Sequence, residues 1–215
     1  MLTVSHDPPA VESDLAGRRL TCPGCAGVLA PWGWARVRLI RHGRGAGAGV
    51  VEVRPRRGRC TGCAGTHVLL GVEFAARRAD PAAVIAAAIE AKVVGSGHRT
   101  IAGLLGRPVS TVRGWLRGFT ACAAAVVEAC TALAHCHGAD AAGVWPAPVP
   151  ALAGRAVGVV AAYASVLAQR FSVAVVDWHA AGPWFFSARW WQGREQHELA
   201  LMPVVAAGQG GRSTG

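Results

Sequence analysis

The sequence predicts a mainly α-helical chain that opens with a small β unit and continues through a three-helix segment into further helices. Three observations predict this. A turn-rich, partly β-branched stretch at 20–79 carries paired cysteines. At Asp80 the texture changes to alanine-rich helical sequence. Short apolar-periodic runs separated by glycine follow directly. At 215 residues the chain is long enough to bury a sizeable core in one or two units.

Residues 1–19 read as a disordered leader, and MLTVSHDPPAVESDLAG has neither the basic start nor the apolar run of a secretory signal. Within 20–79, Arg36–Arg41 and Val50–Arg54 alternate around GRGAGAG, a pattern that predicts a β-hairpin. Asp80-Pro81 reads as an N-cap with proline at the first helical position, and AAVIAAAIEAKVV continues as a helix until Gly95, Ser96 and Gly97. Two shorter helices are expected at 99–105 and 110–119, which makes 80–119 a homeodomain-like three-helix unit. A further alanine-rich helix, extending this unit, is expected over 120–137. The proline-rich PAPVPA run marks 138–154 as a linker, and a helix is expected over 155–176. Gln169 and Arg170 interrupt that last segment, so it is not expected to span a membrane. Residues 177–215 read as a largely irregular, tryptophan-rich and poorly ordered tail.

Charge divides the chain. Residues 1–119 hold 17 basic and 7 acidic residues, whereas 120–215 hold five of each, so the whole net charge of +10 lies in the first part. A basic half beside a neutral half points to a polyanion-binding module, with nucleic acid ahead of an anionic membrane surface. Without a signal sequence, the cytoplasm is the expected compartment, and its seven cysteines are then better metal ligands or buried thiols than disulfides.

Cys22-Pro-Gly-Cys25 and Cys60-Thr-Gly-Cys63 are two C-x-x-C knuckles. Thiolates two residues apart on a tight turn reach one ion together, so the four sulfurs suit a tetrahedral structural zinc in a zinc ribbon. A redox C-x-x-C pair is the alternative, but it calls for a βαβ context that is absent from this sequence. His67, four residues past Cys63, has ligand spacing and reads either as a substitute ligand or as a strand residue. Cys122, Cys130, His135, Cys136 and His137 could imitate a second site, but on an alanine-rich helix they read as packing residues. The ribbon is dense in arginine: Arg36, Arg38, Arg41, Arg44, Arg54, Arg56, Arg57 and Arg59 face only Glu52 within 36–59. Phosphate contact explains that excess better than plain solvation does.

The stretch HRTIAGLLGRPVSTVRGWLR, from His98, reads as a helix-turn-helix. Ile101, Leu104 and Leu105 give one apolar face, and Ala102 allows a close crossing. Gly106 sits at the turn, and Ser110 is placed to cap the second helix. Val112, Trp115, Leu116 and Phe119 are expected to face inward. Thr111, Arg113, Gly114 and Arg117 then face outward with Arg99 and Ser110 nearby, types able to reach base edges and phosphates.

In CPGC, the arginine-rich RRGRCTGC, THVLL and IAGLLGRPVSTVRGWL, the chain from about 20 to 119 resembles the N-terminal region of ISL3-like insertion-sequence transposases and related short actinobacterial proteins. The resemblance implies double-stranded DNA as partner, with a transposase or a second copy of the chain as further ones, and a separate RNase-H-like domain carrying three catalytic carboxylates. After residue 119 the acids are Glu128, Asp140, Asp177, Glu195 and Glu198, too few and too scattered for a two-metal site. The expected role is therefore non-enzymatic: a nucleoid-associated, transposase-like accessory or remnant. A transcriptional regulator with a C-terminal sensing or dimerisation segment is the alternative.

Overall fold

The computed structural model describes residues 1–137, 142–172 and 177–181. Its elements are β1 (Leu2–Val4), α1 (Pro8–Ala16), β2 (Leu29–Trp34), β3 (Arg38–His42), β4 (Gly49–Val53), β5 (Arg56–Cys60), β6 (Thr66–Gly71), α2 (Ala82–Val93), α3 (His98–Leu105), α4 (Val109–His137), α5 (Leu152–Phe171) and α6 (Trp178–Ala181). The chain is thus mainly helical with two small sheets. One sheet has the order β1-β6-β5-β2, parallel only between β1 and β6. The other is the two-stranded β3–β4 hairpin.

The first 19 residues are not a disordered leader. Leu2–Val4 pair in parallel with Leu69–Gly71, and α1 starts at Pro8, where the missing N–H costs nothing. Val11 and Leu15, one helical turn apart, are buried with Leu20, Leu29 and Leu69 in a small core that also takes in Cys22 and Cys60. The hairpin agrees with its expectation, pairing Arg38 with Val53 through His42 with Gly49 and closing in a 3-10 turn at Gly45–Gly47.

A second and larger core joins the helices. Ile85 and Ile89 of α2, Ile101 and Leu105 of α3, and Val112, Trp115 and Phe119 of α4 meet in it. Gly106 adopts the left-handed conformation (φ 63°, ψ 40°) that ends α3, and the amide of Arg107 returns to the carbonyl of Ala102. Leu104 departs from the expectation: it lies 64% exposed, because an eight-residue helix presents one narrow stripe, occupied by Ile101, Ala102 and Leu105. Ser110 is not the cap of the next helix either. It lies inside the first turn of α4, and the Pro108 carbonyl accepts from the amides of Thr111 and Val112.

Two expected helices are one. No breaker stronger than Gly118 stands near the 119/120 boundary, and α4 runs unbroken for 29 residues. Its C-terminal half buries Val126, Cys130 and Ala134 in the same core as Val159, Val160, Tyr163 and Val166 of α5. The described part of 138–154 therefore leads back onto the helical unit rather than away from it, and α5 spans 152–171 instead of 155–176. Trp178 of α6 closes the core, its indole Nε1 donating to Glu90 at 2.6 Å and its ring 6.0 Å from that of Phe119. Most of the expected tail, 182–215, lies outside the described residues. By length and composition alone α4 and α5 are each long and apolar enough to cross a membrane, a property shared by buried core helices.

Candidate metal centre and basic surface

The two knuckles have the same sequence pattern, Cys-x-Gly-Cys-Ala-Gly, and the same backbone path. Ala26 returns its amide to the Cys22 carbonyl, and Ala64 does so to that of Cys60. Each alanine takes a left-handed conformation at φ 58°, which costs an L-residue roughly 1–2 kcal/mol. Amides of Gly24, Gly62 and Cys63 point at the sulfurs of Cys22 and Cys60 at 3.3–3.5 Å. Gly27 permits the approach of the two turns, since a Cβ there would lie 2.9 Å from the Cys60 sulfur.

The four sulfurs lie within 4.8 Å of one another. Cys25 and Cys60 are 3.4 Å apart, and Cys22 and Cys63 are 3.8 Å apart. A tetrahedral ion with metal–sulfur bonds of about 2.3 Å requires sulfur–sulfur edges of about 3.8 Å. All four cysteines are free thiols, so the cluster is able to hold a metal ion. Electrostatics fit that role. The amides of Cys63 and Gly62 help lower the Cys60 thiol to about 6. Although the Gly27 amide favours the Cys25 thiolate, shared hydrogen bonds with Cys60 and Cys63 push that thiol up to about 12. Cys25 and Cys60, 3.4 Å apart, resist being anionic together, and a divalent cation removes the conflict.

His67, on β6, places Nε2 3.3 Å from the Cys22 sulfur. It is a strand residue beside a complete set of four sulfurs. Among the described residues the four-cysteine group is the only one gathered for a metal. Burial raises the Cys122 thiol to about 11 and that of Cys130 to about 12, as suits packing residues. His135 and His137 are engaged by the Thr131 carbonyl and the Tyr163 hydroxyl.

The arginines separate into two groups. Arg38 is turned inward, donating to the carbonyls of Ala75 and Arg78, and burial pulls its guanidinium below the ordinary value. Arg41 pairs with Asp80. Arg56 pairs with Glu12 of α1, donates to the Gly33 carbonyl and lies 4.7 Å over the Trp34 ring. Arg57 donates to the Thr66 hydroxyl at the surface. For Arg38, Arg41 and Arg56 the expectation of a phosphate-facing side chain gives way to intramolecular pairing. By contrast Arg36, Arg54, Arg99, Ser110, Arg113 and Arg117 are exposed and Thr111 is half-buried. On α4, Ser110, Arg113 and Arg117 follow one another at helical spacing on the side opposite buried Val112, Trp115 and Phe119.

Sequence reasoning missed the junction between these regions. Asp80 does not cap α2, whose N-cap position is Pro81. Its carboxylate is buried and accepts from Arg107 Nε at 2.6 Å and from Arg41 Nη2. Arg107, 6% exposed, also donates to the carbonyls of Arg41 and Gly43 in the hairpin and of Leu105 and Gly106 in the turn. The only local signal was an arginine placed immediately after the turn glycine.

Fold and site together define a helical protein with a tetracysteine centre and a basic N-terminal half. Comparisons with known protein families, with curated proteins and with solved structures find no match.

Proposed function

We propose that this protein binds double-stranded DNA in a sequence-directed way, through a zinc ribbon formed around Cys22, Cys25, Cys60 and Cys63 and a helix-turn-helix formed by α3 and α4. The observation that carries the reading is the exposed stripe Ser110, Arg113 and Arg117 on a helix whose opposite face is buried. Two helices joined by a left-handed glycine support it, because that geometry presents the start of the second helix to a major groove. Thr111, Arg113 and Arg117 would read base edges, while Arg99, Arg36, Arg54 and Arg57 would meet phosphates. The zinc would hold the two knuckles together and contribute folding energy, with no chemical step routed through it. The resemblance to ISL3-like transposase N-termini makes a transposase-like accessory or remnant the favoured biological role, without a catalytic step of its own.

A regulator is the second reading, favoured by the continuity of α4 from the proposed recognition surface into the core shared with α5. Anything that shifted α5 would act on the same rigid helix.

The test is fluorescence anisotropy with duplexes recovered by the protein from a random-sequence pool. Arg113→Ala is expected to lose roughly 1–3 kcal/mol on the recovered sequence and less on mixed sequence. Equal losses on every duplex would reduce Arg113 to a phosphate contact, and unchanged affinity would remove α4 from the interface.

A further inference from the structure

The β3–β4 hairpin ends against the α3–α4 turn. The carbonyl of Gly43 accepts from Arg107 Nη2 at 3.2 Å. Gly45 lies against Gly106, so that a Cβ at 106 would stand 3.4 Å from the Gly45 nitrogen. These contacts flank Arg44 on both sides. They fix the hairpin tip at residues 106–107, and α4 begins two residues later, at Val109. Beneath the tip, buried Asp80 binds Arg107 of the turn and Arg41 of the hairpin together. The amide of Arg41 adds a 2.7 Å bond to the Ala79 carbonyl. Arg44 itself is exposed, and its guanidinium has no acceptor among the described residues. Small residues surround it, GRGAGAG, so nothing bulky stands between this backbone and a neighbouring molecule.

From this placement we infer that the hairpin tip is a second DNA contact, a basic wing held beside the start of α4, with Arg44 on a phosphate flanking the groove that α4 enters. The inference rests on the proposed DNA reading and adds to it the wing, its contact residue and the cluster that positions it. Charge supports a polyanion at this spot. Arg44 is exposed at the tip, and the one acidic residue of the hairpin, Glu52, sits on β4 opposite Leu39, away from the tip. Arg41 and Arg107 serve as positioning residues, because each donates to the buried Asp80 carboxylate. A contact of this kind is indifferent to base sequence but adds to the salt dependence, since each phosphate neutralised releases condensed counterion.

The experiment uses the full chain with its metal, on a duplex of about 30 base pairs, three helical turns, recovered from a random pool, and on a mixed-sequence duplex of the same length. Affinities are measured across a salt series, with hydroxyl-radical footprints alongside. Arg44→Ala is expected to weaken binding roughly tenfold on both duplexes, the order expected for one charge-assisted hydrogen bond. It should also reduce the magnitude of the log–log salt slope by about 0.9 and remove protection on one side of the site only. Arg44→Glu should weaken binding further, and Arg44→Lys should restore most of the affinity. Because Arg44 is exposed, each variant should keep the wild-type circular dichroism spectrum. Unchanged slope and footprint in Arg44→Ala and Arg44→Glu, with Arg113→Ala still weakening binding, would overturn the wing and leave the DNA reading standing. No binding by the wild-type chain, or no effect from either Arg44→Ala or Arg113→Ala, would overturn both.

Discussion

Replacing Asp80 with alanine tests the junction between hairpin and helices most directly. The carboxylate is buried and holds two guanidinium groups, one of them on a side chain only 3% exposed. Removing one partner of a buried ion pair typically costs about 3–5 kcal/mol, because the other charge stays buried and uncompensated. Two features of this site favour the low end. Arg107 keeps four carbonyl acceptors, those of Leu105, Gly106, Arg41 and Gly43. Arg41 is 36% exposed on its side chain and can rehydrate, so its share is discounted for solvent. The expected loss is therefore ~3 kcal/mol. With a urea slope of about 2 kcal/mol/M, the unfolding midpoint should fall by about 1.5 M. The assay is urea unfolding of the metal-loaded chain, followed by circular dichroism, with Asp80→Asn as the control that keeps one acceptor oxygen and loses less. A cost below ~1 kcal/mol for Asp80→Ala would mean that the pair is solvated in solution and that Asp80 does not hold the hairpin to the helices.

The purified chain should carry one zinc, and Cys22→Ser should lose both the metal and the fold of the N-terminal unit, since structural zinc contributes roughly 10–16 kcal/mol of apparent binding energy. His67→Ala should keep the metal, and metal analysis of the two variants separates these outcomes. Glu73 is half-buried, and burial raises its carboxyl above the ordinary range, so the folded state favours its protonated form and this group's contribution to stability falls as pH rises through the folded value. Glu73→Gln should therefore be more stable than wild type at neutral pH, with the difference closing below about pH 4, where an exposed glutamate is also protonated. A chain ending at residue 137 should melt well below one ending at 181, since removing α5 uncovers Val126, Cys130 and Ala134, and each large apolar side chain left unburied forfeits roughly 1.5–3 kcal/mol. Equal melting temperatures would show that α4 needs no cover.

What the sequence made legible was local. The knuckles declare themselves by spacing, the hairpin by alternation around a glycine-rich loop, and the α3–α4 turn by Gly106. What it hid depends on distant partners. Leu2–Val4 are too few to read as a strand, and their partner on β6 lies more than sixty residues away. Asp80-Pro81 is a good capping signal by any local criterion. Arg41, 39 positions earlier, and Arg107, 27 positions later, take its carboxylate instead. The same competition removed Arg38 and Arg56 from the surface, by way of the Ala75 and Arg78 carbonyls and Glu12. Composition at 138–154 suggested a boundary, but the burial of α4 beneath α5 is a tertiary fact that no linker composition reveals.

The two cores are assembled differently from the contact between them. Within each core, leucine, isoleucine and valine pack without strong directional demands, and burial is roughly proportional to area. Between the hairpin and the helical unit, beside the fully buried Ile40 of β3, stand directional contacts: a carboxylate shared by two arginines, and guanidinium and amide donors on named carbonyls. Hydrogen bonds to charged groups hold an angle as well as a distance. A ribbon tethered by a loose chain would have to lose rotational freedom each time it met the same ligand as α4, and that loss would weaken binding. A hairpin already oriented by Asp80 would lose none of it. The polar cluster is thus better suited to fixing the relative direction of Arg44 and Arg113 than to adding stability, for which a leucine in the same space would serve as well.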